Sequence, residues 1–520
     1  MMRSIGQALL APTLILCAAL CALPWSADAL AAPAAPAADA RVGERLATAG
    51  QLPRVPACAS CHGADGMGGA AFPRLAGTGA GYLSAQLAAL AGGGRDNAVM
   101  SPIAKALSDE ERSAVALYYS RLPARALEAP QGHDAGAWLA ARGHWSADIP
   151  QCSQCHGPAG QGVGESFPPL AGLPTAYIEA QLTAWQKGER PAGPLALMQA
   201  VAKRMQPQEI AAAAQYYGAF AAPGMTTPAV PVAQTAPAPA ASAATSGSVA
   251  PTAVASGAAT TFQPPSAHAI PDTEMGKVIR QGEQIFLHTG TAAKAYVGNR
   301  LTCVNCHLDA GRLPNAAPMW GAYGMYPAYR SKTKEVDDFA NRLRGCFMYS
   351  MNGKAPPYGS AELVALETYS YWMAHGAPTG EKLPGAGYLK LSAPQQPPDS
   401  VRGRAVYDQH CALCHGADGQ GQRVGGAQAF PPLWGSQSYN WGAGMTAVNT
   451  AAGFIKANMP YGLGGTLTDQ QAWDVAQFMD GHERPQDPRF DGNVASTRKK
   501  FHDSRYSLYG TMVDGRLLGE

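Results

Sequence analysis

Four times in 520 residues the chain repeats a cysteine, two variable residues, a second cysteine and a histidine. The copies are "CASCH" (Cys58, Cys61, His62), "CSQCH" (Cys152, Cys155, His156), "CVNCH" (Cys303, Cys306, His307) and "CALCH" (Cys411, Cys414, His415). The spacing fits covalent haem attachment, in which two thiols reach the two vinyl groups of one porphyrin and the adjacent histidine takes the iron from one face. Zinc ribbons and thioredoxin-like sites also use paired cysteines, but neither needs a histidine at the next position in every copy. Four covalently bound haem c groups are therefore expected, and with them electron transfer.

The motifs also organise the chain, which is too long for one ordinary core. The stretch "CASCHGADGMGGAAFPRLAG" from Cys58 recurs as "CSQCHGPAGQGVGESFPPLAG" from Cys152, and both copies continue with a Tyr, an apolar helix-like run and a Met. We expect a mainly α fold of four tandem cytochrome c-type haem domains in two halves. The first two span 36–127 and 131–222. Residues 223–266, rich in Pro, Ala, Thr and Ser, cannot bury enough apolar surface to offset their ordering entropy and read as a linker. Two further haem domains follow at 267–390 and 395–482, and a tail at 483–520 is expected to wrap over them. Closing helices are signalled by capping boxes at Ser108 with Glu111 and at Thr468 with Gln471, and by Pro207 near a first turn.

The first 31 residues carry one early Arg, an apolar run from Ala8 to Leu23 and small residues at Ala27, Ala29 and Ala31. They read as a cleaved secretory signal, since the run is short of the ~20 residues a spanning helix needs. Cys17 and Cys21 leave with it, and the mature protein is expected in the periplasm with no membrane span. A formal net charge of +2 and the lack of a basic stripe with interleaved aromatics give no sign of a nucleic-acid partner.

A haem that only passes electrons usually has a second axial ligand, most often Met. Met100 in the first domain and Met459 in the fourth stand before their closing helices, and Met198 aligns with Met100, with Met205 as the alternative. The third domain has no such Met. It has Cys346, in "NRLRGCFMYSMNG", the one cysteine outside the motifs and the signal. A buried inert thiol, an intermolecular disulfide and a thiolate ligand on the third haem are all consistent with it. Arg342 and Arg344, four and two residues earlier, favour the thiolate.

After three motifs the chain reads "FPRLAG", "FPPLAG" or "FPPLWG", where a backbone carbonyl is placed to accept the axial His ring N–H; the third has "AAPMWG", with Ala317 in place of the first Pro.

Around these residues the chain resembles a known family. "GNRLTCVNCHLDAGRLPNAAPMWGAYGMYPAYRSK", "NRLRGCFMYSMNGKAPP", "CALCHGADGQG" and "FIKANMP" are similar to thiosulfate dehydrogenases, over about 270–510. The first half resembles two-domain cytochromes c that serve as acceptors, and the whole is similar to natural fusions of the two. The resemblance implies oxidation of two thiosulfate to tetrathionate at a haem ligated by His307 and Cys346. It places Arg342, Ser350 and Arg330 beside the substrate. Some family members carry a Lys directly before the fourth-domain Met; here Asn458 stands there, which implies simple His415/Met459 ligation and leaves Lys456 to solvent or a haem propionate. Electrons would pass through His62/Met100 and His156/Met198 haems to a soluble cytochrome, a high-potential redox protein or a terminal oxidase.

The chemistry is compatible with this. Arginine forks suit oxyanions, and a soft thiolate can bond a sulfane sulfur. Two other readings remain: a tetrathionate reductase running the reverse reaction, and a tetrahaem carrier without catalysis.

Overall fold

The helices come in four crossing pairs, one pair for each Cys-x-x-Cys-His motif. In this computed structural model, which describes residues 39–222 except Ala70 and His133, and 262–520, the pairs are regular. Helix α1 (Ala40–Thr48) crosses α2 (Asp109–Arg121), and α3 (Ala135–Arg142) crosses α4 (Pro207–Gly218). In the second half α5 (Glu274–Leu287) crosses α6 (Ala361–Met373), and α7 (Ser400–His410) crosses α8 (Asp469–Asp480). The expected signal, 1–31, and most of the expected linker, 223–261, lie outside the described residues.

One glycine makes each crossing possible. A Cβ on Gly43 would lie 2.1 Å from the Ala114 carbonyl oxygen, on Gly136 2.2 Å from that of Ala212, on Gly282 2.1 Å from that of Ala365, and on Gly403 2.0 Å from that of Asp474. No side chain fits in that space, so the opening helix of each unit lies with its backbone against the closing helix. The closing helices begin where their caps dictate: Ser108 and Glu111 exchange side-chain to backbone hydrogen bonds, as do Thr468 with Gln471 and Gln206 with Glu209, the last pair flanking Pro207.

The two units of the second half share one continuous core, in which Trp320, Phe347 and Tyr369 join Tyr407, Tyr439 and Trp473. Each unit of the first half has its own. The chain is mainly helical; among the described residues the strands form three short antiparallel hairpins, β1 (Ala328–Arg330) with β2 (Glu335–Asp337), β3 (Gln422–Val424) with β4 (Ala427–Phe430), and β5 (Met512–Val513) with β6 (Arg516–Leu517). The last hairpin belongs to a C-terminal segment that packs Tyr509 on Trp441, with ring centroids 5.6 Å apart, and pairs Ser507 with Ala447.

The halves touch. Arg142 on α3 forms an ion pair with the buried Glu283 on α5, and Phe167 meets Phe430 with ring centroids 5.1 Å apart. No helix among the described residues is long and apolar enough to cross a membrane.

Candidate active site at Cys346

Each motif histidine is held the same way. The Nδ1–H of His62 donates to the Pro73 carbonyl at 2.9 Å, that of His156 to Pro168 at 2.7 Å, that of His307 to Ala317 at 2.6 Å and that of His415 to Pro431 at 2.9 Å. A carbonyl can only accept, so the tautomer is set and Nε2 is left with its lone pair for a metal. Burial pushes the pKa of His62, His156 and His415 down, which keeps those rings neutral. Ala317 performs the task of the missing proline, and does so with a φ of 48° that no proline could adopt.

Cys346 closes the helix Phe339–Gly345 and opens a π-helical turn, Cys346–Ser350. Arg342 stands one turn earlier, so its Nη1 reaches the Cys346 sulfur at 2.8 Å. The Cys346 side chain also meets that of His307. Burial raises the pKa of this thiol, but the Arg342 charge and the contacts with His307 outweigh it and bring the value down to about 6. The contrast lies close by: burial pushes Cys303 and Cys306 up to about 12.

The other expected residues have their own places. Arg330, at the end of β1, donates to the Tyr326 hydroxyl at 3.3 Å and lies 4.0 Å from the buried Asp337. Ser350 ends the π-helical turn, one turn past Cys346, and its backbone carbonyl accepts from Asn299 at 2.8 Å. Arg344 takes no part: it donates to the Pro356 carbonyl and lies over the Tyr358 ring. Met100 starts the helix Met100–Ala106, Met198 packs half-buried on the core of its unit while Met205 is buried within that core, and Met459 follows the helix Val448–Asn458. Lys456 is not a solvated residue; it holds the Leu467 carbonyl and Asp469 at the start of α8. Asn458 is buried and donates to the Phe454 and Asn315 carbonyls.

Sequence reasoning missed two neighbours. Lys332, on the turn between β1 and β2, donates to the Gly442 carbonyl and lies 4.2 Å from the centre of the Tyr349 ring. Its pKa falls to about 7, first through burial and then through the charges of Arg342, Arg489 and Arg330. Arg489, from the C-terminal segment, is gripped by Asp487 at 2.7 and 3.0 Å, donates to the Lys332 carbonyl and lies 5.1 Å from the centre of the same Tyr349 ring. The cationic "RSKTK" run hinted at Lys332; nothing local pointed to Arg489, which lies over a hundred residues away in the chain.

The residues present fit haem. Beyond the motif thiols and histidines, Arg190 Nε, Arg312 Nε and Nη2 and Arg484 Nε are buried with no hydrogen-bond partner among the described residues. Unpaired buried guanidinium N–H groups are rare and match the carboxylates of haem propionates.

Comparison with known proteins agrees with this geometry. The cytochrome c family model matches residues 43–122 and 400–483, and the model of the SoxA/TsdA cytochrome c domain matches 291–379. The chain is 60% identical over 259 residues to a thiosulfate dehydrogenase of Thiomonas intermedia, which covers 50% of this chain and 82% of the relative. It is 49% identical over 187 residues to a thiosulfate dehydrogenase electron acceptor of Stutzerimonas stutzeri, covering 35% and 87%. Among solved structures, the thiosulfate dehydrogenase (TsdBA) of Marichromatium purpuratum superposes with a TM-score of 0.80 at 45% identity, over 92% of this chain and 99% of that one. The chain belongs to the thiosulfate dehydrogenase family, as a member that carries its cytochrome c acceptor half in the same polypeptide.

Proposed function

We propose that this thiosulfate dehydrogenase joins two thiosulfate ions into tetrathionate at the sulfur of Cys346 and delivers the electrons through its first half to an acceptor outside the chain. The observation that carries the reading is the Arg342 guanidinium 2.8 Å from the Cys346 sulfur, inside a cluster completed by Arg330, Lys332 and Arg489. Thiosulfate is a dianion, and two must approach each other. Arg342 on the thiolate, with Arg330, Lys332 and Arg489 gathered beside it, lowers the repulsion that would otherwise keep them apart.

The steps balance. The thiolate of Cys346 bonds the sulfane sulfur of the first thiosulfate, giving a cysteine S-thiosulfonate and releasing two electrons. The sulfane sulfur of a second thiosulfate then attacks that of the first, tetrathionate leaves and the thiolate returns. Arg342 stabilises the thiolate at both ends of the cycle, and the remaining cations orient the sulfonate oxygens. Haem, when bound, accepts the electrons one at a time.

Four haems are proposed, on the cysteines of the four motifs. The residues that would hold their irons are His62 with Met100, His156 with Met198, His307 with Cys346 and His415 with Met459. Arg330, Arg342 and Ser350 line the substrate site. The domain limits of the sequence analysis, a signal at 1–31 and a periplasmic location complete the proposal. The acceptor half in the same chain favours oxidation over tetrathionate reduction, because it supplies an outlet for electrons.

The test is thiosulfate-dependent haem reduction by the purified protein, with tetrathionate assayed, beside Cys346→Ala. Reduction and product in the parent alone support the reading. Equal reduction in the variant removes Cys346 from the chemistry, and no turnover in either direction leaves an electron carrier.

A further inference from the structure

Three units share the Phe-Pro loop after the haem motif, and two of those loops face each other. Phe167 and Phe430 occupy the same repeat position, each followed by the proline whose carbonyl holds the motif histidine. They pack together, with Phe167 8% exposed, and around them lie Val163, Leu197, Leu413, Val424 and the second motif cysteines, Cys155 and Cys414. Gln154, inside the second motif, donates to the Ala429 carbonyl at 2.7 Å across the same contact. The second and fourth units thus meet through their haem-attachment edges.

The first unit has a similar loop, and among the described residues no aromatic ring of another unit packs on it. Phe72 stands where Phe167 and Phe430 stand, is 38% exposed, and lies with its ring 6.1 Å from that of His62; Cys61, the counterpart of Cys155 and Cys414, is exposed. The backbone pairs alike in a loop one residue shorter: Gly69 and Phe72 bond to each other as Val163 and Phe167 do. Gly69 stands in place of Val163, so the apolar patch is smaller, and a Cβ there would meet nothing within 4 Å.

We propose that the Phe72 edge of the first unit is the port through which electrons leave the chain, and that its occupant is a monohaem c-type cytochrome presenting the edge that the fourth unit presents to the second. The internal contact shows what this surface takes: another haem-attachment edge with an aromatic at its centre. Without the valine the contact buries less apolar area, which suits a partner that must dissociate after each electron rather than a permanent subunit. The inference rests on the reading that haem is held at Cys58, Cys61 and His62.

The test measures binding, not turnover. The oxidised holoprotein is titrated with a near-neutral monohaem c-type cytochrome carrying zinc in place of iron. Phe72→Ser is expected to weaken binding by about fivefold or more, and Gly69→Val to tighten it by about twofold or more by restoring the missing patch. Equal affinity in all three proteins overturns the proposal. So does self-association of the chain through this edge, lost in Phe72→Ser, with no binding of the probe. Thiosulfate-driven reduction of the chain's own haems without acceptor is expected at parent rate in both variants. Its absence in the parent would count against the thiosulfate reading while leaving the binding result to decide the port.

Discussion

Arg342 Nη1 lies 2.8 Å from the sulfur of Cys346, one helical turn further along, and no carboxylate competes for it among its hydrogen bonds. The pair makes a thiolate out of a buried thiol. In the absence of a cation, burial disfavours the charged form, as it does at Cys303 and Cys306.

Removing that cation is expected to be severe. Arg342→Gln should slow thiosulfate-driven haem reduction by about 100-fold, at unchanged haem content. Arg342→Lys should recover part of the loss, because it restores charge without the two-pronged geometry. Stopped-flow absorbance at the haem bands reads both, and a parent-like rate in Arg342→Gln would remove this residue from the chemistry.

Lys332 gives the site a pH dependence. With a pKa near 7 it is charged below that pH and loses its charge above it, and only the charged form attracts a dianion. The KM for thiosulfate is therefore expected to rise as pH climbs from about 6 to 9. Lys332→Gln should show a KM that is high throughout and insensitive over that range. A parent-like slope in the variant would assign the titration to another group.

At Ala317 the backbone φ of 48° decides the outcome. Ala317→Gly should stabilise the fold by about 1 kcal/mol or less, since L-residues pay to enter this region. Ala317→Pro, which restores the residue of the other loops, should instead move the carbonyl away from His307 and disturb the third haem alone. Denaturant unfolding checks the first, and the haem spectra, compared site by site, check the second.

The helix crossings make a plain stability prediction. Gly282→Ala places a methyl 2.1 Å from the Ala365 carbonyl oxygen, whereas a Cβ on Gly290 meets nothing within 4 Å. The first is expected to cost about 2–3 kcal/mol and the second well under 1. Thermal unfolding of the two variants side by side distinguishes them.

Much of this was legible in the residues. The motifs, the capping boxes at Ser108 and Thr468, and the odd Cys346 all depend on neighbours within a turn or two, so spacing alone reveals them. Arg342 and Arg344 stood side by side in that reading; the structure gives the sulfur to Arg342, one turn back on the helix, and turns Arg344 to the Pro356 carbonyl. The crossing glycines were not legible: each looks like any other glycine until the second helix lies on it. Lys456, expected to face solvent or a haem propionate, was not legible for the same reason, because its partners at Leu467 and Asp469 sit across a loop.

The sequence by itself determined the chemistry that haem attachment demands, the division into repeated helical units, and the presence of a thiol with no cysteine to bridge. Those features are set by covalent spacing and by short-range hydrogen bonding, which do not change with the rest of the fold. The tertiary structure decided that Lys332 and Arg489 gather beside Arg342, and that Phe167 finds Phe430 while Phe72 remains exposed. These are relations between residues far apart in the chain, and only the burial of one surface against another brings their charges and rings within reach.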